Sequence, residues 1–531
     1  MLKPLPYLIP RRKGHVLLAI GAFTVLSMIL MMASRGAEYH SLRRPWATDS
    51  EDITTIEPER RPSGPARIPK SKLHMILPAT QTNPNFCKTL MTMTILGYPV
   101  ATIVGWGSQD DKGGLKGGGS HYMKITNTLA WIENHERNGT EEFDNELIFM
   151  LDAYDIWFQL PPETLLARWE RVVEEENARV KQRMGKAFDN ENIETGVIFG
   201  AGKRCIPNMP FSIACYPVPD SPVPHDTYGS ATDTQFGVGA ATAYRARYLN
   251  SGFIIGKVKH VRPLLQRAAV KMEICKNKKN RPDDTRGWSA RCYGGSDQSI
   301  FIEMLGEQEY HREVMRRHHR GRFDDLLDWL IPGRAGSWPK PYHLMGAKIT
   351  DPLNPEFPHK QHDTFYLPNK PFEYGIALDY FYDLGHQAIN AERDVHYIRH
   401  DKPVKDQIGK WTPFDCRNPR STMPADVPSG EIDLLASDSS GPKTWESVPL
   451  MSEVCVDTIP VMIHHNAMNK NRLETEWVKP WWHGRAKNMM EWRKDKAAEQ
   501  IVRGFSTDLG ERLSWEQLCP KKFDGELYRD A

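Results

Sequence analysis

From Lys72 the pattern of apolar and polar positions reads as strand, helix, strand. Lys72 to Leu77 is a short apolar run and Tyr98 to Trp106 is a second. Between them, Asn83-Pro84 has the form of an N-cap followed by proline in the first helical turn, which predicts a helix to about Leu96. His121 to His135 places Ile125, Leu129 and Ile132 on one helical face. Leu147 to Leu151 is apolar without alternation, the pattern of a strand buried on both faces. Pro161-Pro162 begin a long charged helix through about Met184. Val197 to Gly200 and Leu249 to Gly256 read as further strands. A helix follows from Pro263, and Asp297-Gln298 open another near Ser299 to Leu305. Val461 to Asn466 is a short strand ending in polar groups. Strands alternating with helices imply a mostly parallel α/β sheet flanked by helices.

Other stretches break this rhythm. Residues 320–370 are rich in Pro, Gly and His, and residues 415–450 in Pro, Ser and Asp; both read as insertions. Residues 491–531 follow as a C-terminal extension of a domain spanning 71–490. At the other end, Val16 to Ala33 carries no charge and is close to the ~20 residues that a spanning helix needs. Arg11, Arg12 and Lys13 precede it. The expected layout is a cytosolic tail over 1–15, a single transmembrane anchor over 16–34 and a flexible stem over 35–70. That makes a type II membrane protein with its domain in the lumen of the Golgi or endoplasmic reticulum.

Composition is ordinary for a globular chain. The 531 residues are 40% hydrophobic and 26% charged, and the net charge of +2 gives no reason to expect nucleic acid. Eight cysteines occur without a CxxC, which argues against a zinc knuckle. In a lumenal chain they allow disulfides, whose pairing the sequence does not give. Asn138-Gly-Thr140 is a glycosylation sequon.

The chemistry begins where the Leu147–Leu151 strand stops. Asp152 and Asp155 stand there with Tyr154 between them. Ligands of open α/β sheets bind at the carboxyl ends of strands. Two carboxylates suit Mn²⁺ or Mg²⁺, and such a metal suits a substrate carrying phosphates. His464, at the end of a later strand, is the natural third ligand, although His465 beside it has the same chemistry. Trp477, Trp481 and Trp482 read either as a sugar-stacking platform or as aromatic anchors.

Several blocks together resemble the glycosyltransferase domain of the procollagen lysyl hydroxylase family. These are Gly117-Gly-Gly119, Leu151-Asp-Ala-Tyr-Asp155, Tyr248-Leu-Asn-Ser-Gly252, Ser296-Asp-Gln298, Ile376-Ala-Leu-Asp379 and Pro460 to Ala467 with Lys470. The resemblance implies a GT-A fold and transfer of a hexose from a UDP-sugar to a protein or glycan acceptor, with Mn²⁺ (or Mg²⁺) as cofactor. It assigns the metal to Asp152, Asp155 and His464, and selects His464 over His465. It places Tyr154, Asn466, Lys470, Gly118 and Asn250 against the donor, Lys470 as positive charge on the leaving diphosphate, and Asp297 near the sugar or acceptor. A sugar-nucleotide-binding partner of another transferase, without turnover, is the alternative. The hydroxylase half of that family is not implied, because no histidine stands two residues before an aspartate.

Overall fold

The computed structural model describes residues 72–108, 120–136, 141–208, 212–234, 240–276, 295–319, 372–409, 416, 419–435, 443–466, 472–496 and 504–530. The expected anchor and stem, the sequon at Asn138, Gly118, Lys470 and the first expected insertion lie outside them. Among the described residues no helix is long and apolar enough to cross a membrane.

The principal elements run β1 (Leu73–Pro78), α1 (Pro84–Leu96), β2 (Thr102–Val104), α2 (Ser120–Glu136), β3 (Leu147–Leu151), β4 (Ile156–Phe158) and α3 (Pro162–Met184). They continue with β5 (Val197–Gly202), β6 (Tyr248–Lys257), α4 (Val258–Lys276), α5 (Asp297–His318), β7 (Ile376–Asp379), β8 (Gly385–Gln387), β9 (Val395–Ile398) and β10 (Leu450–Glu453). The last are β11 (Met462–His464), α6 (Ala486–Lys496), β12 (Phe505–Thr507) and β13 (Arg512–Leu513). Asn83 caps α1 as expected, its side chain accepting from the Phe86 N–H, with Pro84 in the first turn. The helix expected near Ser299 to Leu305 is longer, and Asp297 stands in its first turn.

The protein has a mixed α/β fold with a mostly parallel central sheet. Its order is β13-β12-β2-β1-β3-β6-β5-β7. β6 runs antiparallel to both β3 and β5. Neighbouring side chains point to opposite faces of a strand, and the central strands feed two cores accordingly. Leu147, Phe149 and Leu151 pack into one, with Ile198, Phe253 and Ile255. Ile148 and Met150 pack into the other, with Val197, Phe199 and Ile254. This two-sided burial is why β3 lacks polar alternation. A second, three-stranded sheet, β4-β11-β8, sits where the chain leaves β3.

Two stretches differ from their sequence reading. The segment after residue 490 is more than an appendage: β12 pairs parallel with β2, and Cys519 is disulfide-bonded to Cys87 of α1. Within the stretch over 415–450, Val427, Ile432, Leu435, Trp445 and Val448 are buried in the main core. Asp426 there accepts hydrogen bonds from Arg168 Nε at 3.1 Å and Arg171 Nη1 at 2.7 Å. Burial works against its charge, but the two guanidiniums hold its carboxyl below the usual range. Short apolar positions scattered among Pro and Ser carry no period, so this packing left no sequence signal. Disulfides also join Cys205 to Cys215 and Cys416 to Cys455.

Candidate metal centre

β3 ends at Leu151, and its antiparallel neighbour β6 extends past that end. The register pairs Leu151 with Phe253, so Asn250, Ser251 and Gly252 project beyond it. The Asp152 N–H donates to the Gly252 carbonyl at 2.7 Å, which fixes the first carboxylate against β6. The chain then turns into β4, which pairs antiparallel with β11 and sets His464 opposite Ile156. The His465 N–H donates to the Asp155 carbonyl at 2.7 Å, closing the ladder beside the second carboxylate. Two strands far apart in the chain, β4 and β11, are thereby locked side by side.

The result is a compact donor set. His464 Nε2 lies 3.5 Å from Asp152 Oδ2 and 3.4 Å from Asp155 Oδ1. One ligand atom from each of the three lies within 4.8 Å of the others. His464 is buried, whereas the Asp152 side chain is 40% exposed, so the set opens to solvent on the aspartate side. Two carboxylate oxygens and one imidazole nitrogen fit Mn²⁺ or Mg²⁺ chemistry and leave further coordination positions for oxygen ligands. The neighbouring His465 faces elsewhere, its ring 3.9 Å from that of Trp157.

Sequence reasoning missed Lys124. It lies in α2, buried, with Nζ 2.8 Å from Asp152 Oδ1, 3.1 Å from Asp297 Oδ2 and 2.5 Å from the Ser251 carbonyl. Burial alone would lower its pKa, yet the two carboxylates raise it above the ordinary lysine range, so the ammonium persists. Its only signal was a lysine next to Ile125 in an amphipathic helix, on a side shared with His121 and Thr128, which is as compatible with a solvated edge.

Asp297, expected near sugar or acceptor, is buried and engaged. Its Oδ2 also accepts from Ser251 Oγ at 2.9 Å, and exposed His121 stands 3.7 Å from Oδ1. Burial would raise its pKa, but Lys124 and then His121, with the Ser251 hydrogen bond, hold it below the usual range. Asn250 is likewise committed within the fold. Its Oδ1 accepts from the Gly252 N–H at 2.9 Å, and its Nδ2 donates to Gln298 Oε1 at 3.1 Å. Tyr154 donates its hydroxyl to the Gln81 carbonyl at 2.9 Å, at the carboxyl end of β1. Asn466 is adjacent to the centre, but its Oδ1 accepts from the Ile389 N–H at 2.9 Å. The tryptophans are anchors: Trp477, Trp481 and Trp482 are buried, and their indole N–H groups donate to Leu527, Gln159 and Phe158 carbonyls.

Asp394, Glu453 and Cys455 also cluster. Cys455 is in a disulfide, and Asp394 is taken up by Lys203 at 2.5 Å and the Tyr228 hydroxyl at 3.0 Å. This is a buried charge network with no thiolate to offer. A cavity of about 260 Å³ lies on the far side of β11 from the carboxylates, with His386, Ile463, His465, Tyr397 and Arg472 in its wall.

The fold and the donor set define a mixed α/β protein with a candidate divalent-cation centre at its strand ends. No known protein family and no characterised protein matches this chain.

Proposed function

We propose that the chain is a Mn²⁺-dependent glycosyltransferase of GT-A-like fold that moves a hexose from a UDP-sugar to a protein or glycan acceptor. The observation that carries this reading is the convergence of Asp152, Asp155 and His464 at the carboxyl end of a central strand. Departure of a nucleoside diphosphate builds negative charge, and a divalent cation held there would supply Lewis-acid stabilisation of it. The residues of the chain have separate tasks. Asp152, Asp155 and His464 would hold the cation, while Lys124 neutralises the excess negative charge of Asp152 and Asp297 behind it. Tyr154, held by Gln81, borders the site on the β1 side, where the base of a nucleotide would lie. The mostly parallel sheet with its flanking helices is compatible with the GT-A-like reading.

The disulfides support placement in an oxidising compartment, in keeping with a lumenal domain behind an N-terminal anchor in the Golgi or endoplasmic reticulum. Nucleotide-sugar binding without turnover is the second reading, and the full engagement of Asp297 favours it. Incubation with a panel of UDP-sugars and Mn²⁺ separates the two. Release of UDP that Asp155→Asn abolishes supports the transferase. Saturable binding with no release for any donor supports the second reading. Absence of metal-dependent donor binding removes both.

A further inference from the structure

We infer that Gln387 and Asn466 are positioning residues that fix the tautomer of His464, so that its Nε2 presents a lone pair to the cation. This rests on the metal centre proposed above.

The inference starts from a backbone group whose chemistry is unambiguous. The Ile389 N–H can only donate, and it donates to the Asn466 side chain at 2.9 Å. That end of the Asn466 carboxamide is therefore its oxygen, and the other end is its NH₂. The NH₂ approaches the Gln387 side chain at 3.0 Å. A donor requires an acceptor there, so the Gln387 atom at this point is Oε1. The same Oε1 lies 2.8 Å from His464 Nδ1. An acceptor oxygen requires a donor in turn, so Nδ1 carries the hydrogen. In a neutral imidazole the other nitrogen is then bare. That nitrogen, Nε2, faces Asp152 and Asp155 at 3.5 and 3.4 Å. Three acceptors facing one another is a repulsive arrangement that a cation relieves.

The fold makes room for this chain of bonds. Gln387 and His464 occupy paired positions on the parallel strands β8 and β11. Gly200 lies against the Gln387 amide, at a break in the register of β5, and Gly252 lies against the His464 ring. A Cβ at either glycine would overlap the side chain it faces. β8 is itself placed by Asp379, whose carboxylate accepts from the Asp383, Leu384 and Gly385 N–H groups at 2.8 to 3.0 Å. An outer partner that orients a ligating histidine usually changes metal affinity by about 10–100-fold when lost.

The test uses the full chain with ¹⁵N-labelled histidine, metal-free and at alkaline pH so that the imidazole is neutral, His464 being assigned by loss of its signals in His464→Gln. Nitrogen–proton correlations should show Nδ1 protonated and Nε2 bare. Gln387→Leu should mix the tautomers and weaken Mn²⁺ binding by roughly 10–100-fold, read by electron paramagnetic resonance. Gln387→Glu, whose carboxylate still accepts from Nδ1–H, should keep the wild-type tautomer and hold affinity within a few fold. Asn466→Asp retains the bond from Ile389 but no longer donates to Gln387, so it should also release the tautomer. A protonated Nε2 in the wild type overturns the inference. So does a Gln387→Leu variant that leaves both tautomer and affinity unchanged. Asp152→Asn is the separate control. If it leaves Mn²⁺ affinity unchanged, the metal centre itself fails, whatever the tautomer.

Discussion

Gly252 has no side chain at the point where the His464 ring lies, and a Cβ there would overlap Cε1 and Nδ1 of the imidazole. The contact joins β6 of the main sheet to β11 of the small one. It makes one glycine responsible for the seat of a proposed metal ligand. Gly252→Ala is expected to cost about 1–3 kcal/mol through overpacking and to displace the ring. Thermal melting should fall modestly while Mn²⁺ binding falls steeply. Unchanged binding would place His464 elsewhere.

The cation is expected to stabilise the fold. A ligand that binds only the native state at 100 times its Kd contributes about 2.7 kcal/mol. Adding Mn²⁺ to chelator-treated protein should therefore raise Tm, and the rise should vanish in Asp155→Asn and His464→Ala. Calorimetric scans with and without chelator read this directly.

Lys124 is a buried cation shared by Asp152 and Asp297. Lys124→Met leaves the buried Asp297 carboxylate with weaker compensation and is expected to cost about 3–5 kcal/mol. Lys124→Met with Asp297→Asn should recover part of that loss. Urea unfolding of the two single variants and the double variant measures the coupling. Additive losses would show that the pair is not coupled.

Stability should fall with rising pH in part through Glu453. Burial pushes its carboxyl up to about 8, from 4.5 in the unfolded chain, although Lys203 opposes the shift. The folded form thus keeps a proton that the unfolded chain releases. Its contribution is fully present below about pH 4.5 and is lost as pH rises through 8. Glu453→Gln should flatten the decline of Tm between pH 5 and pH 8. Parallel curves for variant and wild type would contradict this.

The bond between Cys87 and Cys519 ties α1 to the segment that carries the edge strands. Cys519→Ser with Cys87→Ser is expected to cost about 2–5 kcal/mol. Because β12, β13 and the short helix Trp515–Leu518 lie just before Cys519, the loss should appear first as hydrogen exchange in residues 505–518. Uniform exchange across the domain would argue against that order.

How much of this was legible along the chain depended on the range of the forces involved. The bounds of α1 and β3 were readable, because a cap, a proline and an unbroken apolar run act over a few residues. The pair Asp152 and Asp155 was readable for the same reason: both lie in one turn after a buried strand. His464 was reachable as a candidate from its place at a strand end. The choice of His464 over His465 rested on resemblance until the β4–β11 pairing set His464 opposite Ile156.

Other features had no local trace. Lys124 became an internal counter-ion only when α2 packed across the ends of β3 and β6. Cysteine pairing follows the approach of Cα atoms, which spacing does not reveal. β12 joined the sheet through backbone hydrogen bonds to β2, and β13 through β12, which any side chains permit. The sequence alone determined the locally encoded elements, such as α1, β3 and α3, and where two carboxylates meet the end of a strand. The tertiary structure decided which nitrogen of His464 faces them, because that depends on Gln387 and Asn466, nearly 80 residues apart in the chain and joined only by folding.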